Sequence, residues 1–470
     1  MYASIATAFY IAGILCAIEA VMNTRTAQGA TAWSVSLVSF PFVAVPAYLV
    51  FGRNKFEGMQ ETYAARKDEI DGLLEKYETE MSPWRVAIGT GEPWYRALQS
   101  ISGLWQTRAN RVDLLVNGER TFDSILEGIA GAREYILFQF YMIHDDELGR
   151  RVQSALIERA RAGVRVLVLY DEVGSKGLTA AYLEELRQAG VQVSSFKPTQ
   201  GWRNRFQINF RNHRKMVVVD GRVGWVGGHN VGDEYLGKDP EFSPWRDTHV
   251  RIEGPAAQQL QRVILWDWYW ATRQIPEVSW QPVPAPESDT RAMILATGPN
   301  ERLETASLFF VSALSGAQQR IWITAPYFVP DDAVMKALQL AALRGVDVRI
   351  LTTGKGDSLP VYLAAFDYIY RLRGLGIRFY AYRPGFLHQK VVLVDDRISA
   401  VGTHNFDNRS FRLNFEVTAI VVDEGFAGKM ETMFVQDFEH AELIDPEALD
   451  QKPFWWRLGV QVSRLASPVL

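Results

Sequence analysis

A single cysteine, Cys16, is all the thiol in 470 residues, so the chain can form neither an internal disulfide nor a cysteine-built zinc site. Its fold owes nothing to oxidation and suits a reducing compartment. An excess of positive charge is also missing. Fifty Lys and Arg stand against 54 Asp and Glu, a formal net charge of −4, without the broad basic field that gathers on nucleic acid. No cluster of carboxylates asks for a metal, and no cofactor is expected. What is abundant is apolar material, 48% of residues, in a chain as long as about three domains.

Much of that material lies at the start. Residues 4–22 are apolar apart from small polar side chains and Glu19, and residues 31–51 form a second run with Trp33 and Tyr48 near its ends. Each has the ~20 residues a helix needs to cross a bilayer, and the aromatic ends suit the membrane interface. A cleaved signal peptide would need a basic start, which the first run lacks. Two membrane-spanning helices are therefore expected, Pro41 and Pro46 kinking the second. Arg25 is the only basic residue between the runs, while Arg53, Lys55, Arg66 and Lys67 follow the second, so both termini and the large domain are expected on the cytoplasmic side. Residues 53–84 are rich in charge and read as a solvated helical connector.

The rest alternates strands with helices, the signature of an α/β fold, and does so twice. Tyr135–Ile143, 148–162 and Val164–Asp171 recur as Ile321–Phe328, 333–344 and Val346–Thr352. Chemistry recurs with them. His213, Lys215 and Asp220 form H-x-K-x4-D, and so do His388, Lys390 and Asp395. Seventeen residues beyond each His stands an Asn, Asn230 and Asn405, and further on a carboxylate, Asp247 and Glu416, at unequal distances.

Met216–Val219 and Val391–Val394 are apolar and mostly β-branched, so each motif sits on a strand, where His and Lys, two residues apart, share a face. Met216, Val218, Val391 and Leu393 face the other way and can anchor the strands. If the halves pack about a pseudo-twofold axis, two imidazoles approach one phosphorus from opposite sides. One attacks, and the other protonates the departing alkoxide. Lys215, Lys390, Asn230 and Asn405 would hold the non-bridging oxygens. Asp247 and Glu416 are candidates to orient the imidazoles, and Asp220 and Asp395 to brace the strand ends. His229 and His404 read as loop or core residues, and His144, His249 and His440 carry no assigned role.

The paired motif resembles that of the phospholipase D superfamily, and further segments resemble bacterial cardiolipin synthases. Among them are Thr31-Ala-Trp33, Tyr170-Asp-Glu-Val-Gly-Ser175, Gly227-Gly-His-Asn230, Asp233-Glu-Tyr235, Trp245-Arg-Asp-Thr-His249, Pro326-Tyr-Phe-Val-Pro330, Gly402-Thr-His-Asn405 and Ser467-Pro-Val-Leu470. The resemblance implies two lobes related by pseudo-twofold symmetry, 111–290 and 291–446, after a transmembrane hairpin (1–55) and a juxtamembrane connector (56–110), with an amphipathic tail (447–470). It counts His213, Lys215, Asp220, His388, Lys390 and Asp395 as catalytic, with His213 the nucleophile and His388 the acid/base. It implies that two phosphatidylglycerol molecules become cardiolipin and glycerol at the bacterial inner membrane. The rival reading with the same residues is hydrolysis to phosphatidic acid. A nuclease is argued against by the apolar runs, and nucleic acid is not an expected partner. Oligomeric state is open. Two surfaces stay open between readings. Arg203, Arg205, Arg211 and Arg214, interleaved with Trp202, Phe206 and Phe210, form either a lip for anionic headgroups or a plain surface loop. The stripe Phe454, Leu458, Val462 and Leu465, opposite Arg457, Gln461 and Arg464, faces either lipid or the protein's own core.

Overall fold

A computed structural model of the chain describes residues 2–52, 56, 58–87, 93–102, 105–199 and 209–469. Its centre is a sixteen-stranded mixed sheet whose seam is the antiparallel pair Thr107–Val116 and Thr290–Thr297. Outward from the seam, the first half runs Thr248–Glu253, Val223–Gly227, Met216–Val219, Tyr135–Phe140, Arg165–Asp171, Gln192–Phe196. The second half runs Asn414–Val422, Ile398–Gly402, Val391–Val394, Arg320–Thr324, Asp347–Thr353, Arg378–Tyr382, then a short edge strand Ala441–Leu443. The outer strands of each half are parallel and joined by helices, while the motif strands are antiparallel hairpins. The repeat seen in the sequence is thus a repeat of strand order.

One face of the whole sheet covers a shared core. Met216, Val218, Val391 and Leu393 are buried in it as expected, with helices Pro255–Thr272 and Glu424–Glu439 laid across them. Each such buried side chain contributes ~1.5–3 kcal/mol of transfer free energy. The opposite face has a separate core in each half, under helices such as Glu147–Arg161 and Asp332–Leu343. The connector is less solvated than its charges suggest. Helix Lys67–Met81 turns Tyr77 and Met81 into the shared core and leaves its charged side outside.

One expectation needs correction. Only Tyr2–Asn23 is a helix long and apolar enough to cross a membrane among the described residues. Residues 31–51 do not continue as one span: helix Ala27–Ser39 stops at Phe40 (φ −134°, ψ 56°), and Pro41 starts a new helix, Pro41–Ala47, which runs on into Tyr48–Gly52. A proline at the first helical position favours such a fresh start over a kink. Of the basic stretch, only the end from Asn209 on is described. Phe210 and Arg214 are buried, whereas Trp202, Arg203, Arg205 and Phe206 lie outside the described residues, as do Arg53 and Lys55.

Candidate active site

Two short parallel pairs cross between the halves and set the site. Arg211–Asn212 of the first half pairs with Asn414–Phe415 of the second, and Phe386–Leu387 of the second pairs with Trp245–Arg246 of the first. The next residues along these four stretches are His213, Glu416, His388 and Asp247. His213 N–H donates to Phe415 O (2.9 Å) and His388 N–H to Arg246 O (2.8 Å). This register delivers His213 to Glu416, with Nδ1 3.0 Å from both carboxylate oxygens, and His388 to Asp247, with Nδ1 2.7 Å from Oδ2. Each imidazole is therefore oriented by the carboxylate of the other half. Both carboxylates are buried and held elsewhere too: Asn414 Nδ2 donates to Glu416 (3.1 Å), and Thr248 N–H to Asp247 (2.8 Å).

A carboxylate on Nδ1 holds the proton there and leaves Nε2 as the free basic nitrogen of a neutral ring. Burial, outweighing Glu416, pushes His213 down to about 4, with Lys215 and Lys390 adding to the fall. Burial also pushes His388 well below its ordinary value, and Lys390, Lys215 and His213 depress it further. These mutual effects mean that both imidazoles and both lysines share one electrostatic neighbourhood. The rings keep 13% and 15% of their surface open, enough for a ligand to reach them.

Each lysine folds back on its own motif. Lys215 Nζ donates to His213 O (2.7 Å) and Lys390 Nζ to His388 O. An ammonium has three protons, so two remain for a ligand. Burial lowers Lys215 to about 7 and Lys390 to about 8. Burial raises Glu416, but His213, with His404 and Lys215, outweighs it and holds the group at about 2. Tyr141 lies with its ring 4.9 Å from His213, and Trp245 with its ring 5.2 Å from His388.

The two Asn residues separate. Asn230 is bound at both ends of its amide, donating to Tyr235 Oη (2.6 Å) and accepting from Met142 N–H (3.2 Å), so it ties down a loop. Asn405 has a buried side-chain oxygen with no partner among the described residues. Asp220 and Asp395, the motif carboxylates, sit at the far ends of their strands. Asp220 accepts from the backbone N–H groups of Arg133, Glu134 and Tyr135, and Asp395 from those of Gln318, Gln319 and Arg320. They brace the far ends of the four-residue strands Met216–Val219 and Val391–Val394, and no contact joins either to an imidazole among the described residues. His404 is fixed in the core between Thr297 and Thr418, and His229 against His249, so none of these three reaches the site.

Sequence reasoning missed the braces beneath the motif. Arg214, the middle residue of the first motif, pairs with buried Asp267 (2.6 Å) and donates to Glu416 O of the other half. Gln389 holds the same place in the second motif and donates to Asp437 (2.9 Å), which Arg246 of the first half clamps with two bonds. The signal was available: an apolar helix face interrupted by one Asp in each half. Among the described residues one trio, His144, Asp146 and Glu234, brings possible cation-ligand atoms within 4.8 Å of one another. It is half-exposed, and its imidazole is raised by Glu234, as an ion pair would do.

This geometry meets its match among known proteins. A family model described as cardiolipin synthase, PLD-like domain, covers residues 125–268 and 310–438, both crossed pairs included. The chain belongs to the cardiolipin synthase family. It is 47% identical over 466 residues to cardiolipin synthase A of Pseudomonas putida strain W619, covering 98% of this chain and 97% of the relative. It is 48% identical to that of Pseudomonas aeruginosa strain LESB58, over 98% of this chain and 94% of the relative. Among solved structures, phosphatidylserine synthase of Haemophilus influenzae Rd KW20 shares the fold, with TM-score 0.61 and 15% identity over 80% of this chain and all of that one.

Proposed function

We propose that the chain is a phosphatidyltransferase that makes cardiolipin from two phosphatidylglycerol molecules and releases glycerol. The observation that carries this reading is the pair of crossed His–carboxylate contacts, in a family whose named members are cardiolipin synthases. The two lobes, 111–290 and 291–446, act as half-sites related by pseudo-twofold symmetry, and the palindromic strand order supports this. The phosphodiester monoanion binds between Lys215 and Lys390, with Asn405 as a further donor.

His213 Nε2 attacks phosphorus and the bond to the glycerol oxygen breaks, leaving a phosphatidyl-histidine. His388 gives its proton to that oxygen, and free glycerol departs. A second phosphatidylglycerol then offers its glycerol hydroxyl, His388 takes the proton, and the new P–O bond forms as the P–N bond breaks. One phosphodiester replaces another, so no nucleotide is consumed. In the empty site both imidazoles are neutral. The negative charge of the arriving lipid offsets Lys215 and Lys390 and lets His388 hold the proton it must donate. Water would divert the intermediate to phosphatidic acid, and the aromatic walls at Tyr141, Trp245 and Phe386 limit its access.

The mainly exposed apolar helix Tyr2–Asn23 supports attachment to the bacterial cytoplasmic membrane. Arg25, Arg66 and Lys67 all follow that helix, which supports a catalytic body on the cytoplasmic side. The test is product analysis on labelled phosphatidylglycerol with purified protein. Cardiolipin and glycerol in equal amounts are expected. Phosphatidic acid as the main product, or cardiolipin made at the normal rate by His213→Ala or His388→Ala, would overturn the reading.

A further inference from the structure

Both ends of the segment Ala27–Gly52 return to the same patch of the catalytic body. Just before it, Arg25 pairs with Glu304 (3.1 Å). Just after it, Phe56 N–H donates to Pro299 O (3.1 Å), and its ring packs on Phe210, Trp270 and Phe415. Pro299 and Glu304 are near neighbours in one loop. Between these anchors helix Ala27–Ser39 runs outward, the chain reverses at Phe40–Pro41, and Pro41–Gly52 runs back beside it, with Trp33 against Tyr48 (ring centres 5.1 Å). The outward limb of thirteen residues reaches ~20 Å, short of the ~30 Å of a hydrocarbon core. Its tip exposes Val35, Val38, Phe40, Phe42 and Val43, with no charged side chain and only small serines as polar residues between them.

Helix Tyr2–Asn23 behaves differently. It starts from the same patch at Asn23 and runs along the hairpin, so tightly at Gly13 that a Cβ there would lie 2.5 Å from Leu37 O. Phe9 meets Phe42 at the tip (5.1 Å), and residues 2–8 extend beyond it. Its 22 residues span ~33 Å, a full crossing. Residues 2–18 contain no Lys, Arg, Asp or Glu.

We propose that Ala27–Gly52 is a re-entrant helical hairpin that dips into the leaflet facing the catalytic body and returns, while Tyr2–Asn23 alone crosses, so that its Tyr2 end and the catalytic body lie on opposite sides of the bilayer. This rests on the membrane reading above and replaces the two-span arrangement. The lipid-facing surface continues past the anchor. Glu304 also pairs with Arg412 (3.2 Å), whose short helix lies against Ser467–Val469 at the end of the tail helix. That helix, Phe454–Leu465, takes the first of its two readings, its apolar stripe turned outward. Val460 and Trp456 pack on the protein, Gln461 donates to Asp367 (2.9 Å) and Arg464 sits 3.7 Å from it. Phe454, Trp455, Leu458, Val462 and Leu465 are exposed. An apolar stripe turned outward fits a lipid surface.

The experiment is site-by-site labelling of the full chain in right-side-out and inside-out membrane vesicles. In a Cys16→Ala background, single cysteines Ala3→Cys, Asn23→Cys, Phe40→Cys and Glu119→Cys meet a membrane-impermeant maleimide, with cardiolipin formation confirming that each variant is folded. The inference expects Ala3→Cys to label from the side opposite Glu119→Cys, Asn23→Cys from the same side as Glu119→Cys, and Phe40→Cys from neither. Ala3→Cys and Glu119→Cys labelling together, with Asn23→Cys opposite, would restore two spans and overturn the hairpin while leaving the membrane reading intact. Labelling of all four from both kinds of vesicle, or release of active protein by carbonate washing, would overturn the membrane reading itself.

Discussion

The two half-sites share a backbone plan and differ in what surrounds it. In the first, His213 is gripped by both oxygens of Glu416, its motif partner Arg214 is buried against Asp267, and Tyr141 edges the ring. In the second, His388 has one short bond to Asp247, Gln389 replaces the arginine, and Trp245, Phe386 and Tyr235 surround the ring. The more aromatic surroundings and the depressing effect of three cationic or imidazole neighbours make His388 more dependent on the substrate's charge for its proton. A group that gains its proton with the substrate is suited to be the acid, and a ring kept neutral by burial to be the nucleophile. The difference also shows that neither half is a site by itself, because each orienting carboxylate comes from across the seam.

Removing either imidazole breaks the comparison at its strongest point. His213→Ala and His388→Ala should each lower kcat by about 10⁴-fold or more, as loss of a member of a concerted group does. They should differ in what accumulates. Label from the phosphatidyl group should stay bound to wild type under rapid quench and be absent from His213→Ala. Label on His213→Ala would exchange the two roles.

Next in size are the crossed carboxylates. Glu416→Gln and Asp247→Asn should each lower kcat by roughly 10³- to 10⁴-fold by losing the imidazole's tautomer and orientation. A double-mutant cycle sharpens this. Glu416→Gln should add little to His213→Ala although the two residues lie in different halves, and should stay additive with His388→Ala. The reverse pattern would refute the crossing.

Much of this was legible beforehand, and the limits have physical causes. The doubled motif, the α/β alternation and the inward anchors Met216, Val218, Val391 and Leu393 follow from period-two patterning, which acts locally. The crossing could not be read, because two-residue strand pairs between Asn212 and Phe415, and between Arg246 and Leu387, leave no periodic trace. Asn230 looked like Asn405 because spacing reports position along the chain and not what a loop wraps around. The second apolar run looked like a span because hydropathy counts residues, whereas the reversal at Phe40 is fixed by Pro41 and by anchors on either side.

The lysines give a smaller, graded effect. With Lys215 at about 7 and Lys390 at about 8 in the empty site, raising the pH removes their positive charge and weakens capture of an anionic headgroup. kcat/KM, which reports the free enzyme, should therefore fall as pH rises through that window, by at most about tenfold per pH step for each lysine. Arginine stays charged, so Lys215→Arg should move the falling limb upward, and by more than Lys390→Arg, because Lys215 loses its proton first. Equal shifts would erase this difference between the halves.

The smallest effect on chemistry should come from the motif's own aspartates. Asp220 and Asp395 are alike down to a positive φ of 52° and three backbone donors apiece, none of them near an imidazole. Asn tolerates that backbone region as Asp does but offers one neutral acceptor oxygen for the donors. Asp220→Asn and Asp395→Asn should each lose about 1–3 kcal/mol of folding stability, read as a lower midpoint of denaturation, by weakening charge-assisted bonds. Turnover of the folded variants at low temperature should stay within about twofold, since the strand end is held far from the phosphorus. A collapse of turnover in either variant at full folding would mean that the aspartate acts on the substrate, and would return the third letter of the motif to the chemistry.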